Sequence, residues 1–140
     1  MELFGVENHV HAGISFAKYD TIPVRVIDEN PSSSFENFDD VNLHPCMKEN
    51  IRLARYAVPT PVQRHSIPIV TAGRDLMACA QTGSGKTAAF LIPTCSALFY
   101  QAKNLITRPN PSNSHRFAAR PLVLIMAPTH ELYSQIFDES

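Results

Sequence analysis

With 140 residues, 44% of them hydrophobic and 18% charged, the sequence is long enough for one globular domain, too short for two, and not disordered by composition. Three cysteines, Cys46, Cys79 and Cys95, form an odd set without paired spacing, which argues against a disulfide framework or a zinc site and for reduced thiols, two of them facing a core. The net charge of −1 divides into −6 over residues 1–50 (nine acidic, three basic) and +5 over residues 51–140 (four acidic, nine basic), an acidic front before a mildly basic remainder suited to phosphates.

Residues 1–34 show little periodicity and end in the polar run Asn30-Pro31-Ser32-Ser33-Ser34, which predicts extended or disordered chain ahead of a domain over residues 35–140. Ile14, Phe16, Ile22, Val24 and Val26 give that segment enough apolar surface to dock on a neighbouring domain; a loose tail is the alternative. From Leu43, apolar residues recur at helical spacing through Met47, Ile51 and Ala54, with Pro45 in the first turn, so a helix is expected that ends near Tyr56. Thr60 at an N-cap, Pro61 after it and Gln63 three residues beyond the cap predict a second helix, which Pro68 should end. Gln63 is thereby either a capping-box residue or an amide that reads the edge of a ligand. Local sequence leaves both open.

Thr71-Ala72-Gly73-Arg74 turns into a short apolar run, Asp75-Leu76-Met77-Ala78-Cys79-Ala80, read as a strand. It feeds Ala80-Gln81-Thr82-Gly83-Ser84-Gly85-Lys86-Thr87, and the long, mostly apolar stretch over residues 87–104 reads as a helix. Strand, glycine-rich loop and helix in that order make a P-loop, although Ala80 stands where the general pattern has glycine. Gly83 and Gly85 let the backbone fold its N–H groups around phosphate oxygens. Lys86 carries a positive charge to the β- and γ-phosphates, and Thr87 offers a hydroxyl to Mg²⁺. The helix adds its positive N-terminal end to the same anion.

Pro93 should kink that helix about two turns in. From Asn104 to Arg120 the composition changes to that of a surface insertion carrying Arg108, Arg116 and Arg120, read as a solvated loop in preference to an RNA contact. Leu122-Val123-Leu124-Ile125-Met126-Ala127 is a continuous apolar run, as in a strand buried on both faces of a parallel sheet. Pro128-Thr129-His130-Glu131-Leu132 then opens a helix with Thr129 as its cap. The whole is an α/β arrangement, a right-handed βαβ unit, whose nucleotide belongs at the carboxyl ends of the strands.

Together these segments resemble one family, the DEAD-box ATP-dependent RNA helicases, over residues 38–132. Residues 80–87 match its motif I residue for residue. Tyr56-Ala57-Val58-Pro59-Thr60-Pro61-Val62-Gln63 resembles the family's adenine-reading Q motif, with Phe38 at the place of its isolated upstream aromatic. Ala127-Pro128-Thr129-His130-Glu131-Leu132 resembles motif Ia, and residues 13–26 resemble the stretch before the Q motif in the branch acting on messenger RNA and in germ-line RNA metabolism.

The resemblance implies a RecA-like P-loop NTPase fold, a parallel sheet flanked by helices and incomplete in these residues. It implies ATP and Mg²⁺ as cofactors, the nucleotide held by Phe38, Tyr56, Gln63 and Ala80, Gln81, Thr82, Gly83, Ser84, Gly85, Lys86 and Thr87, with the Gln63 amide on the adenine, Tyr56 stacked on the purine and Thr87 on the metal. Pro128, Thr129, His130 and Glu131 would hold an RNA phosphate without reading its base. The parent would separate RNA strands by closing a second RecA-like lobe over them. The expected location is intracellular and cytoplasmic, with the nucleus or germ granules as alternatives, and no membrane partner.

The sequence also departs from the family. His130 stands where arginine is usual, Tyr133 replaces a small residue, and Arg55 replaces the glycine common before the Q-motif aromatic. No Asp-Glu-Ala-Asp occurs in these residues, so the acidic pair that would hold Mg²⁺ and place the attacking water is missing. These residues are therefore expected to be the first part of lobe one, binding nucleotide weakly without hydrolysing it. The alternatives are a non-catalytic truncation that binds ATP or RNA, or an incomplete gene model.

Overall fold

His44 and Pro45 set the start of the first helix. In the computed structural model, which describes residues 23–27, 32–105 and 121–139, α1 (Pro45–Leu53) begins at a proline that has no amide hydrogen to leave unpaired. The ring nitrogen Nδ1 of His44 accepts the Cys46 amide at 3.2 Å, standing in for the side-chain oxygen that usually caps a helix. His44 is itself tied down. Its backbone N–H donates to the buried Ser96 hydroxyl at 2.8 Å, and its ring stacks on Phe99 and meets Tyr100 edge-on.

At its far end α1 closes in a Schellman motif, with the Arg55 N–H donating to the Arg52 carbonyl at 3.1 Å and the Tyr56 N–H to the Ile51 carbonyl at 3.1 Å. The motif needs a left-handed residue, and Arg55 supplies it at φ +59°. This stops the helix before Tyr56. A side chain with a Cβ costs roughly 1–2 kcal/mol in that conformation, so Arg55→Gly is expected to stabilise the fold by about 1 kcal/mol, the greater freedom of glycine in the unfolded chain offsetting the rest. Urea denaturation of the two proteins checks this; an unchanged midpoint would mean that the arginine is not strained.

The second helix, α2 (Pro61–Thr71), starts as predicted but does not end at Pro68. It runs on to a second Schellman arrangement, with the Gly73 N–H on the Val70 carbonyl at 2.9 Å, the Arg74 N–H on the Ile69 carbonyl at 3.2 Å, and Gly73 at φ +74°. An internal proline costs about 3 kcal/mol through its missing donor and its clash with the preceding turn. Here it is flanked by Ile67 and Ile69, 0% and 8% exposed. Burying two such side chains stabilises by roughly 1.5–3 kcal/mol each, enough to carry the helix through.

A 3-10 turn (Phe38–Asp40) precedes α1, and α3 (Lys86–Leu105) and α4 (His130–Glu139) complete the helices among the described residues. α3 continues through Pro93, and the Thr94 hydroxyl donates back to the Phe90 carbonyl at 2.7 Å. The chain divides into two compact units, Met1–Gln101 and Ala102–Ser140. In the first, Phe35, Phe38, Val41, Leu43, Met47, Ile51, Ile67, Ala88 and Ile92 make one buried cluster, with Tyr56 and Cys95 packed against it. The stretch before α1 therefore shares a core with α1, α2 and α3. In the second, Ile136 is buried on α4 beside a shallow hollow lined by Ile125, Ala127, Tyr133 and Phe137.

One cysteine, not two, faces a core. Cys95 packs there, and burial pushes its thiol pKa up, whereas Cys46 and Cys79 are exposed. Cys46 lies on the outer side of the first turn of α1, and Cys79 lies in an uncovered run.

That run and its counterpart, residues 75–80 and 122–127, take up no regular secondary structure, and no β-ladder occurs among the described residues. Met77 is 90% exposed and Met126 84%. A strand becomes part of a sheet only when a neighbour takes up its N–H and C=O groups, and no described segment does so for either run. The expectations for residues 1–22 and for the insertion carrying Arg108, Arg116 and Arg120 lie outside the described residues; residues 23–27 are exposed and without regular secondary structure.

Candidate nucleotide-binding site

The loop over residues 80–87 is shaped by two left-handed glycines, Gly83 at φ +76° and Gly85 at φ +85°. The Ser84 N–H donates to the Gln81 carbonyl at 3.3 Å, which turns the chain, and the Ala89 N–H takes the Gly85 carbonyl at 3.1 Å in the first turn of α3. Lys86 is folded back onto its own loop. Its ammonium donates to the Ala80 carbonyl at 2.6 Å and to the Gln81 carbonyl at 2.7 Å. Gln81, Thr82 and Gly83 are exposed, Thr87 is half-buried, and the Ser84 hydroxyl is buried without a hydrogen-bond partner.

Gln63 stands over this loop from the first turn of α2, 1% exposed. Its Oε1 accepts the Thr60 N–H at 3.0 Å, the limb of the capping box that the sequence pattern predicts. Its Nε2 donates to the Gly85 carbonyl at 3.3 Å, joining the start of α2 to the start of α3 across 22 residues of sequence. The other limb of the box is weaker: the Thr60 hydroxyl faces the Gln63 amide in the arrangement of a cap but makes no hydrogen bond of ordinary geometry. Gly85 has no room for more. A Cβ built there would lie 2.5 Å from Gln63 Nε2 and 3.3 Å from Thr60 Oγ1.

Thr60 is held from a third direction. The Arg64 N–H donates to its carbonyl at 2.9 Å, and Arg64 Nε donates to the carbonyl of the fully buried Pro59 at 3.0 Å. Nothing in the local pattern announces this second contact, which reaches back five residues. Tyr56 is half-buried at the edge of the core with its ring 6.4 Å from that of Phe38, edge to face. Phe38 is 7% exposed and also meets Phe35, so it lies behind Tyr56 as part of the core.

Pro128, Thr129, His130 and Glu131 are exposed at the start of α4, in the second unit. The Thr129 hydroxyl accepts the Leu132 N–H at 3.3 Å and so caps the helix as predicted. His130 Nδ1 lies 3.3 Å from the Ser134 hydroxyl, which donates to the His130 carbonyl at 3.1 Å. The His130 ring meets Tyr133 edge-on, and Tyr133 stacks on Phe137, so both departures from motif Ia belong to one aromatic row.

Residues 60–140 match the DEAD/DEAH box helicase family. The matched stretch holds Gln63, the loop and residues 128–131; Tyr56 and Phe38 precede it. Among solved structures, the chain is similar to a DEAD box protein from the hyperthermophile Methanococcus jannaschii, with 31% identity and a TM-score of 0.56 over 76% of this chain and 25% of that one. It is likewise similar to the RNA helicase Prp28 from Chaetomium thermophilum bound to ADP, with 38% identity and a TM-score of 0.58 over 76% of this chain and 23% of that one. The chain spans about a quarter of the length of these structures.

Proposed function

Because the chain belongs to the DEAD/DEAH box helicase family, we propose that its first unit is the ATP end of an RNA helicase and that Gln63 reads the adenine. The observation that carries this is the double engagement of the Gln63 amide, on Thr60 at one end and on the phosphate loop at the other. An amide has two N–H groups and two lone pairs. With one of each in use, one N–H and one lone pair remain, and these complement N7 and the N6 amino group of adenine. Guanine presents an oxygen in place of that amino group and sets acceptor against acceptor. Since Gln63 is 1% exposed, the base has to open the loop to reach it.

The loop residues fit a triphosphate. Gly83 and Gly85 are already in the left-handed conformations that turn N–H groups inward, and the Ser84 hydroxyl is buried without a partner. Lys86 exchanges two neutral carbonyls for phosphate oxygens, and charge-assisted bonds to such oxygens are the stronger kind. Tyr56 lies at the rim, where its ring can cover the purine, and Thr87 would hold Mg²⁺, whose charge neutralises the phosphates when bound. Ala80, Gln81 and Thr82 complete the cradle. Phe38 supports Tyr56 from the core.

The rest of the reading follows the family. Pro128, Thr129, His130 and Glu131 hold an RNA phosphate without reading sequence, and the two apolar runs are strands of a RecA-like parallel sheet. The parent protein hydrolyses ATP on RNA and opens short duplexes with a second lobe, in the branch acting on messenger and germ-line RNA, inside the cell. The 140 residues by themselves hold nucleotide without turning it over, because they contain no Asp-Glu-Ala-Asp.

Displacement of a fluorescent ATP analogue by ATP and by GTP tests the central step. ATP is expected to bind about tenfold or more tighter than GTP, the usual worth of one well-placed pair of hydrogen bonds to a base. Gln63→Ala should bring the two close to equality. Equal binding of both nucleotides by the unaltered chain would end the adenine reading.

A further inference from the structure

We propose that Arg64 is the positioning residue for this base-reading amide, a role that rests on the nucleotide reading above. The Pro59 carbonyl and the Thr60 N–H are the two ends of one peptide unit. Arg64 Nε holds the oxygen end at 3.0 Å, and Gln63 Oε1 holds the hydrogen end at 3.0 Å. Because a peptide unit is planar, fixing its oxygen fixes the direction of its N–H, and that N–H aims the Gln63 amide.

The oxygen needs this donor. Pro59 is fully buried and lies before the N-cap, where no helical N–H reaches; the first carbonyl that α2 uses is that of Thr60, taken by the Arg64 N–H. A buried carbonyl left without a partner is costly, so without the Arg64 side chain the peptide would tilt toward another donor. Tilting carries the Thr60 N–H away from Gln63 Oε1. Arg64 thus acts at one remove from the base, through the Pro59–Thr60 peptide and Gln63.

The test separates the donor from the charge and the bulk. Glutamine places an N–H at the same distance along the side chain as arginine Nε, and methionine places a methyl group there. Dissociation constants for ATP, GTP and inorganic tripolyphosphate would be measured on the unaltered chain, Arg64→Gln and Arg64→Met. Arg64→Met is expected to lower the preference for ATP over GTP by about fivefold, the loss of a single directed hydrogen bond. It should leave tripolyphosphate binding within about twofold, and Arg64→Gln should retain most of the preference. A preference that survives Arg64→Met overturns the proposal, as does an equal loss for all three ligands in both variants, which would mark a general structural role. Absence of any ATP preference in the unaltered chain overturns the adenine reading itself and the present proposal with it.

Discussion

Gly85→Ala is expected to destabilise the first unit by roughly 2–5 kcal/mol, combining about 1–2 for a left-handed alanine with about 1–3 for an overpacked contact. The backbone at Gly85 has φ +85°, and the new methyl would stand 2.5 Å from Gln63 Nε2 and 3.4 Å from Gln63 Cδ. A long side chain on a surface would swing aside. Gln63 is 1% exposed and bonded at both ends of its amide, so its retreat breaks the bond to the Gly85 carbonyl and strains the α2 cap. Gly73 is the natural comparison: its φ is +74°, yet nothing lies within 4 Å of a Cβ built on it. Gly73→Ala should therefore cost only about 1–2 kcal/mol. Urea denaturation of both variants isolates the contact as their difference, and equal losses would show that Gln63 gives way freely.

Gln63→Ala should cost roughly 2–4 kcal/mol in the same measurement, apart from any effect on nucleotide. It leaves the buried Thr60 N–H without an acceptor, at about 1–3 kcal/mol, and removes the bond to Gly85, at about 0.5–1.5. The Gly85 carbonyl itself keeps the Ala89 N–H and is not orphaned. Loss of less than about 1 kcal/mol would mean that the α2 cap and the phosphate loop are not held together through this amide.

Much of this arrangement was legible in the residues because it is local. Pro45, the Thr60–Pro61–Gln63 pattern and Thr129 each mark a helix start through bonds within three residues, and all three starts are where the pattern puts them. Pro68 misled because its cost is local whereas the burial of Ile67 and Ile69 that offsets it is not. The end of α1 close to Tyr56 followed from the apolar spacing, whereas the left-handed turn that makes it is supplied by Arg55 in place of the glycine that would announce it. The two readings of Gln63, cap or ligand amide, could not be divided from the local residues, and only the family resemblance pointed to the adenine. The bond that relates the cap to the phosphate loop spans 22 residues, and so does the absence of space at Gly85. Residues 75–80 and 122–127 read as strands, but neither forms one among the described residues, because pairing is a property of a neighbour and is not written in the run itself.

Whether residues 80–87, with Gln63 above them, are a site for ATP is tested by a calorimetric titration of Mg–ATP into the unaltered chain and Lys86→Ala. Lys86 carries the loop's one side-chain cation, now resting on the Ala80 and Gln81 carbonyls. Its transfer to phosphate oxygens is worth about 1.5–3 kcal/mol, so the variant is expected to bind Mg–ATP about 10- to 100-fold more weakly than a saturable single site in the unaltered chain. Equal affinity in the two proteins, or no saturable binding in either, would mean that this loop is not an ATP site.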